Sequence, residues 1–102
     1  MRDIDVAQLE ELLPQGGTLV DVREPREFVD GHVPGALLAP MGQLPSRLGD
    51  FDKDKPVYVI CRSGNRSAAM LELMLAQGFD AYNVVGGTVA WAQSGRSLDG
   101  GM

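Results

Sequence analysis

A single cysteine stands among the 102 residues, at position 61. It cannot close an internal disulfide, so no covalent staple holds the fold. An unpaired cysteine suits a reducing compartment better than a secreted, cross-linked scaffold. Histidine and tryptophan also occur once each, as His32 and Trp91. One histidine and one cysteine make no recognisable ligand set, so no metal is expected. Positive charge is scarce: 9 Lys and Arg stand against 14 Asp and Glu, a net charge of -5. Nucleic acid is therefore a poor partner, because its phosphates need clustered Lys and Arg. An anionic membrane surface is equally poor. No stretch approaches the roughly 20 apolar residues of a membrane helix. The segment Met1-Arg2-Asp3-Ile4-Asp5 lacks the apolar core of a signal peptide. The expected location is the cytoplasm.

What is present suits one globular domain. Hydrophobic residues make up 44 % of the chain, enough for a modest core. The domain is expected to span residues 1–95. Residues 96–102 are small, polar and Gly-rich, and should form a flexible C-terminal tail. No internal repeat occurs.

Short strands alternate with helices. Asp5 can cap a first helix striped by Val6, Leu9, Leu12 and Leu13, ended by Pro14 and Gly16-Gly17. Residues 18–22 form a short strand-type run, 24–30 a short helix closed by Gly31, and 36–39 a second apolar segment. Residues 43–48 suit one or two helical turns, and 49–55 a charged loop. Val57-Tyr58-Val59-Ile60 is the strongest strand, apolar throughout, as befits the middle of a parallel sheet. Residues 67–77 form the strongest helix, with almost no polar face, so deep packing is expected. Gly78 suits a left-handed cap, with Phe79 folding back. Residues 81–85 make another strand, and 88–93 a final short helix. The pattern predicts an α/β sheet with helices on both faces. Sites in such sheets form at the C-terminal ends of strands.

That rule points to Cys61-Arg62-Ser63-Gly64-Asn65-Arg66-Ser67, between the best strand and the best helix. A loop wound at a helix N-terminus aims several backbone N–H groups at one point, which favours an anion. Cys61 would sit over this cradle with its thiol pKa lowered, since the thiolate is the nucleophile. Gly64 lets the loop curl. Ser63, Asn65 and Ser67 allow a tight, hydrogen-bonded turn. Arg62 and Arg66 bring two positive charges suited to a small oxyanion. A lone cysteine at a strand end is more often a buried core residue. Gly64, the two arginines and the strand–loop–helix setting together favour a functional cysteine.

The sequence resembles the rhodanese family at three places. Asp21-Val22-Arg23-Glu24, Glu27-Phe28 and Gly31-His32-Val33-Pro34-Gly35-Ala36 are similar to the family's N-terminal signature. Cys61 to Ser67 resembles its active-site loop. Gly86-Gly87 with Ala90-Trp91 resembles its C-terminal signature. The resemblance spans residues 18–91. It implies a rhodanese-like α/β fold, a central parallel sheet of about five strands flanked by helices. It also implies that Cys61 is the catalytic residue, taking sulfane sulfur as a persulfide from a donor such as thiosulfate. The sulfur would pass to a thiophile: cyanide, a thiol, thioredoxin or a sulfur-carrier protein. Arg62, Ser63, Gly64, Asn65, Arg66 and Ser67 would bind substrate, largely through backbone amides. No cofactor is implied. Cysteine-dependent phosphatases of similar fold place Arg six positions after the Cys. Here Arg66 lies five after Cys61 and Ser67 six, which resembles the sulfurtransferase loop and leaves phosphatase or arsenate reductase activity as the alternative. A relay module with little turnover of its own is a second alternative.

His32 is read as fixing its turn by hydrogen bonds. Asp21, Arg23 and Glu27 are read as a structural ion-pair cluster beside the site. Trp91 is expected to pack under the fold, and the methionines to fill core.

Overall fold

The structure, a computed structural model, describes residues 2–101. Met1 and Met102, the outer ends of the expected domain and tail, lie outside the described residues. Five strands form one parallel sheet: β1 (Asp3–Ile4), β2 (Thr18–Asp21), β3 (Leu37–Leu38), β4 (Val57–Ile60) and β5 (Ala81–Val84). Their order is β1-β5-β4-β2-β3, so β4 lies at the centre. β4 pairs with β2 from Thr18↔Val57 to Asp21↔Ile60, and with β5 from Val57↔Ala81 to Val59↔Asn83. Strand β1 escaped the sequence reading. It is only two residues long and carries a charge, so neither length nor alternation marks it.

Among the described residues five α-helices accompany the sheet: α1 (Val6–Leu12), α2 (Pro25–Asp30), α3 (Leu44–Arg47), α4 (Asn65–Ala76) and α5 (Gly87–Gln93). Helix α1 starts on a reciprocal cap. The Gln8 N–H donates to Asp5 Oδ1 at 2.8 Å, and the Asp5 N–H donates to Gln8 Oε1 at 2.9 Å. Helix α4 ends where Gly78 takes φ +89° and the Phe79 N–H returns to the Met74 carbonyl at 3.0 Å.

Alternation along β4 divides the core. Val57, Val59 and Cys61 face one layer with Leu44 of α3 and Leu71 and Met74 of α4. Tyr58 and Ile60 face the other with Leu9 of α1 and Trp91 of α5. Both faces of the sheet are thus covered, and each fully buried aliphatic side chain contributes about 1.5–3 kcal/mol. Among the described residues no helix is long and apolar enough to cross a membrane.

One expectation is revised. Helix α4 is not buried all round: only Ser67, Leu71 and Met74 are buried, while Ala68, Ala69 and Ala76 face solvent. Alanine favours a helix without needing a core, so its abundance there reflects propensity more than packing. The C-terminal segment makes hydrogen bonds to the rest of the domain. Asp99 and His32 exchange backbone hydrogen bonds at 2.9 Å, and the Gly101 N–H donates to the Val29 carbonyl at 2.9 Å. The Trp91 Nε1–H donates to the Ser97 carbonyl at 2.8 Å. His32 itself stacks on Phe28 at 3.7 Å, and its Nδ1 lies 2.8 Å from the Phe28 carbonyl.

Candidate active site

Cys61 follows β4 directly, at the C-terminal edge of the sheet. The chain then turns through Arg62, Ser63 and Gly64 into α4. Helix α4 begins at Asn65, two residues earlier than the sequence suggests, so Asn65, Arg66 and Ser67 form its first turn. Gly64 caps it at φ +109°, a left-handed conformation that strains any side chain. This turn brings the Gly64 N–H to 3.1 Å from Cys61 Sγ.

Cys61 is only 1 % exposed. Its sulfur nevertheless has polar company, unlike an inert core thiol. The Ser67 hydroxyl lies 3.3 Å from Sγ. Burial pushes the Cys61 thiol up. Hydrogen bonds from the Ser67 hydroxyl and from the backbone of Ser67, Gly64 and Ser63 outweigh it, and the thiol lies below its ordinary value. The site therefore stabilises negative charge on sulfur.

Helix α5 fixes the loop from the other side. The Thr88 N–H donates to the Cys61 carbonyl at 2.9 Å, and the Val89 N–H donates to the Arg62 carbonyl at 3.0 Å. The Thr88 hydroxyl also donates to the Cys61 carbonyl, at 3.2 Å. Gly87 makes this approach possible. A Cβ there would lie 2.3 Å from the Cys61 carbonyl oxygen and 2.6 Å from that of Arg62. The Gly86-Gly87 pair thus allows contact between two backbones rather than merely ending a strand.

The loop side chains divide into three settings. Arg62, Ser63 and Asn65 are exposed. Arg66 is clamped by Glu27 of α2, whose Oε1 and Oε2 accept from its two Nη groups at 2.6 and 2.9 Å. Ser67 is fully buried, and its hydroxyl donates to Asn83 Oδ1 of β5 at 2.6 Å. Arg62 also borders a cleft of about 310 Å³ whose walls include Arg23, Glu27, Asp30, Thr88 and Leu98. That cleft opens beside the cysteine loop, not directly on the sulfur.

The expected ion-pair cluster separates into two pairs. Arg23 binds Asp21 through Nε at 3.0 Å and Nη2 at 2.8 Å, both side chains buried, and also donates to the Gly31 carbonyl at 2.7 Å. Glu27 belongs instead to Arg66, across 39 residues of sequence that no local pattern spans. Asn83 and Thr88 also went unremarked. A polar side chain inside the apolar run Ala81-Tyr82-Asn83-Val84-Val85 was the available signal for Asn83. Among the described residues, no three His, Cys, Asp or Glu side chains gather as a metal site would need.

The rhodanese-like domain family model matches residues 5–94. The chain belongs to the rhodanese family. A Bacillus subtilis protein named a sulfurtransferase, YtwF, is 39 % identical over 93 residues, covering 89 % of this rhodanese and 90 % of that protein. A sulfurtransferase of Allochromatium vinosum is 40 % identical over 81 residues, covering 78 % and 76 % of the two chains. A rhodanese-like domain protein of Staphylococcus aureus superposes with a TM-score of 0.88 at 36 % identity over 100 % of both chains. A rhodanese-related protein of Thermoplasma volcanium gives 0.91 at 33 % identity, over 97 % and 98 %.

Proposed function

We propose that this rhodanese is a sulfurtransferase that carries sulfane sulfur as a persulfide on Cys61. One observation carries the reading. The sulfur of Cys61 accepts from the Gly64 N–H at 3.1 Å, inside a turn whose hydrogen bonds lower the thiol from its ordinary value.

The Cys61 thiolate attacks the outer sulfur of thiosulfate. The Cys61 S–S bond forms, the donor's S–S bond breaks, and sulfite leaves with the electron pair. The outer sulfur of the persulfide is anionic, and the same turn whose Ser63, Gly64 and Ser67 backbone favours charge on the Cys61 sulfur receives it. A thiophile, cyanide or a thiol, then attacks that outer sulfur, and the Cys61 thiolate departs. A low thiol pKa helps twice, raising the thiolate fraction for attack and improving the leaving group in release. The sequence holds no second cysteine, so the acceptor comes from outside, as a small thiol, thioredoxin or a sulfur-carrier protein. Arg62, exposed at the mouth, attracts the anionic donor, and Arg66 shapes the turn through Glu27. A reducing cytoplasm would keep Cys61 free between turnovers.

Short loop length separates this chemistry from phosphoryl transfer. Six positions after the cysteine stands Ser67, buried against the sulfur, where phosphatase chemistry calls for an arginine on the phosphate. The test is thiocyanate formation from thiosulfate and cyanide. The wild-type chain should turn over, and Cys61→Ser should be inactive with its fold intact. Turnover by the serine variant would refute the proposal.

A further inference from the structure

Asn83 is a polar residue inside a buried strand. It stands beside Val59 of β4, and its backbone N–H donates to the Arg2 carbonyl at 2.7 Å. The residue is 7 % exposed. A buried primary amide is tolerated only with partners. Its partner is Ser67, which donates to Oδ1 at 2.6 Å, and Ser67 in turn lies 3.3 Å from Cys61 Sγ. A continuous line of hydrogen bonds therefore runs from β5 to the reactive sulfur.

A hydroxyl has one proton, and that fact gives the line its meaning. With Cys61 neutral, S–H donates to Ser67 Oγ and Ser67 donates to Asn83. With Cys61 ionised, the sulfur needs a donor, and the Ser67 proton turns to it. Ser67 Oγ can then accept from Nδ2–H once the amide turns over. Among the described residues only Oδ1 of this amide is hydrogen-bonded, so the rotation breaks no hydrogen bond other than the one to Ser67.

We propose that Asn83 is a positioning residue for Cys61, its amide offering Ser67 an acceptor or a donor according to the charge on the sulfur. A hydrogen-bond chain ending on a charge is polarised along its length, so the thiolate gains more from Asn83 than the thiol does. The charged groups near the sulfur are Arg62 of the loop, Arg66 of α4 with Glu27 of α2, and the Asp21–Arg23 pair at the end of β2. Asn83 of β5 and Thr88 of α5 add no charge, so the effect of Asn83 runs through hydrogen bonds.

The inference rests on Cys61 as the nucleophile, but it is read on the thiol itself. A protein that failed to transfer sulfur would still report it. The experiment titrates the thiolate of the reduced full chain by its ultraviolet absorbance, taken as the difference from Cys61→Ser. Asn83→Leu and Asn83→Ala are each placed in the wild-type and the Ser67→Ala backgrounds. In the wild-type background each should raise the midpoint by about half a unit to one unit, a roughly threefold to tenfold loss of thiolate below it. In the Ser67→Ala background neither should raise it further. An unmoved midpoint in folded Asn83 variants, even with lower stability, would make Asn83 a structural residue only and overturn the proposal. An equal rise in both backgrounds would also overturn it, because the effect would not pass through Ser67. Should Asn83→Leu fail to fold, Asn83→Ala completes the same cycle.

Discussion

The guanidinium of Arg66 is held by both carboxylate oxygens of Glu27, at 2.6 and 2.9 Å. This pair ties the first turn of α4 to α2. It also explains why a positive residue so close to the sulfur is not simply free to meet a substrate. The hydrogen bond from Arg66 holds the Glu27 carboxyl at about 2, well below its ordinary 4.5. A carboxyl depressed in the fold stabilises the fold above its unfolded value and loses that contribution as pH falls through the folded value. The window is therefore pH 4.5 down to about 2. Both side chains are partly solvated, which keeps the pair modest. Glu27→Gln should cost about 1 kcal/mol at neutral pH. Denaturant melts should show the gap between wild type and variant narrowing as the pH drops through that window. A gap independent of pH would contradict this assignment.

Gly87 sets the distance between α5 and the cysteine loop. Its φ is +57°, and a Cβ would meet two carbonyl oxygens that belong to the backbone and cannot swing aside. Gly87→Ala should destabilise the fold by about 3 kcal/mol. It should also slow sulfur uptake roughly 100-fold, because it displaces the residues that position the sulfur. Gly16→Ala, at φ +105° with open space around it, gives a control for conformational strain without collision. Equal effects of the two substitutions on uptake would show that the close approach does not matter.

Ser67 stands against the sulfur where a longer phosphate-binding loop would place arginine. Its hydroxyl is one of the donors that keep the Cys61 thiol below its ordinary value. The rate of sulfur uptake should therefore rise with pH and level off below the ordinary thiol range. Ser67→Ala should move that midpoint up by about one unit and slow uptake about tenfold at pH values beneath it. A pH–rate series on both proteins reads the shift directly. An unchanged midpoint would remove the hydroxyl from the account.

Much of the architecture was legible because its signals are local. The run Val57 to Ile60 announced the central strand, Asp5 the first helix start, and Gly78 with Phe79 the end of α4. The position of Cys61 at a strand end, before a glycine-bearing turn, marked the candidate site. Partnerships between distant segments carried no such signal. Glu27 sits beside Asp21 and Arg23 in sequence, yet it pairs with Arg66, while Asp21 and Arg23 pair with each other. Asn83 looked like one residue of a strand until Ser67 was brought against it. The apolar residues of α4, Ala68 to Met70 with Leu71, Leu73 to Leu75 and Ala76, suggested a buried helix, because composition does not say which face a helix turns to the sheet.

The central claim is that Cys61 holds transferable sulfur, and the intact mass of the protein tests it most directly. The reduced chain is treated with thiosulfate, weighed, then treated with cyanide and weighed again. The account predicts a gain of one sulfur atom, its loss to cyanide as thiocyanate, and neither change in Cys61→Ser. Folded, reduced protein that gains no sulfur from thiosulfate or from a persulfide donor would contradict it.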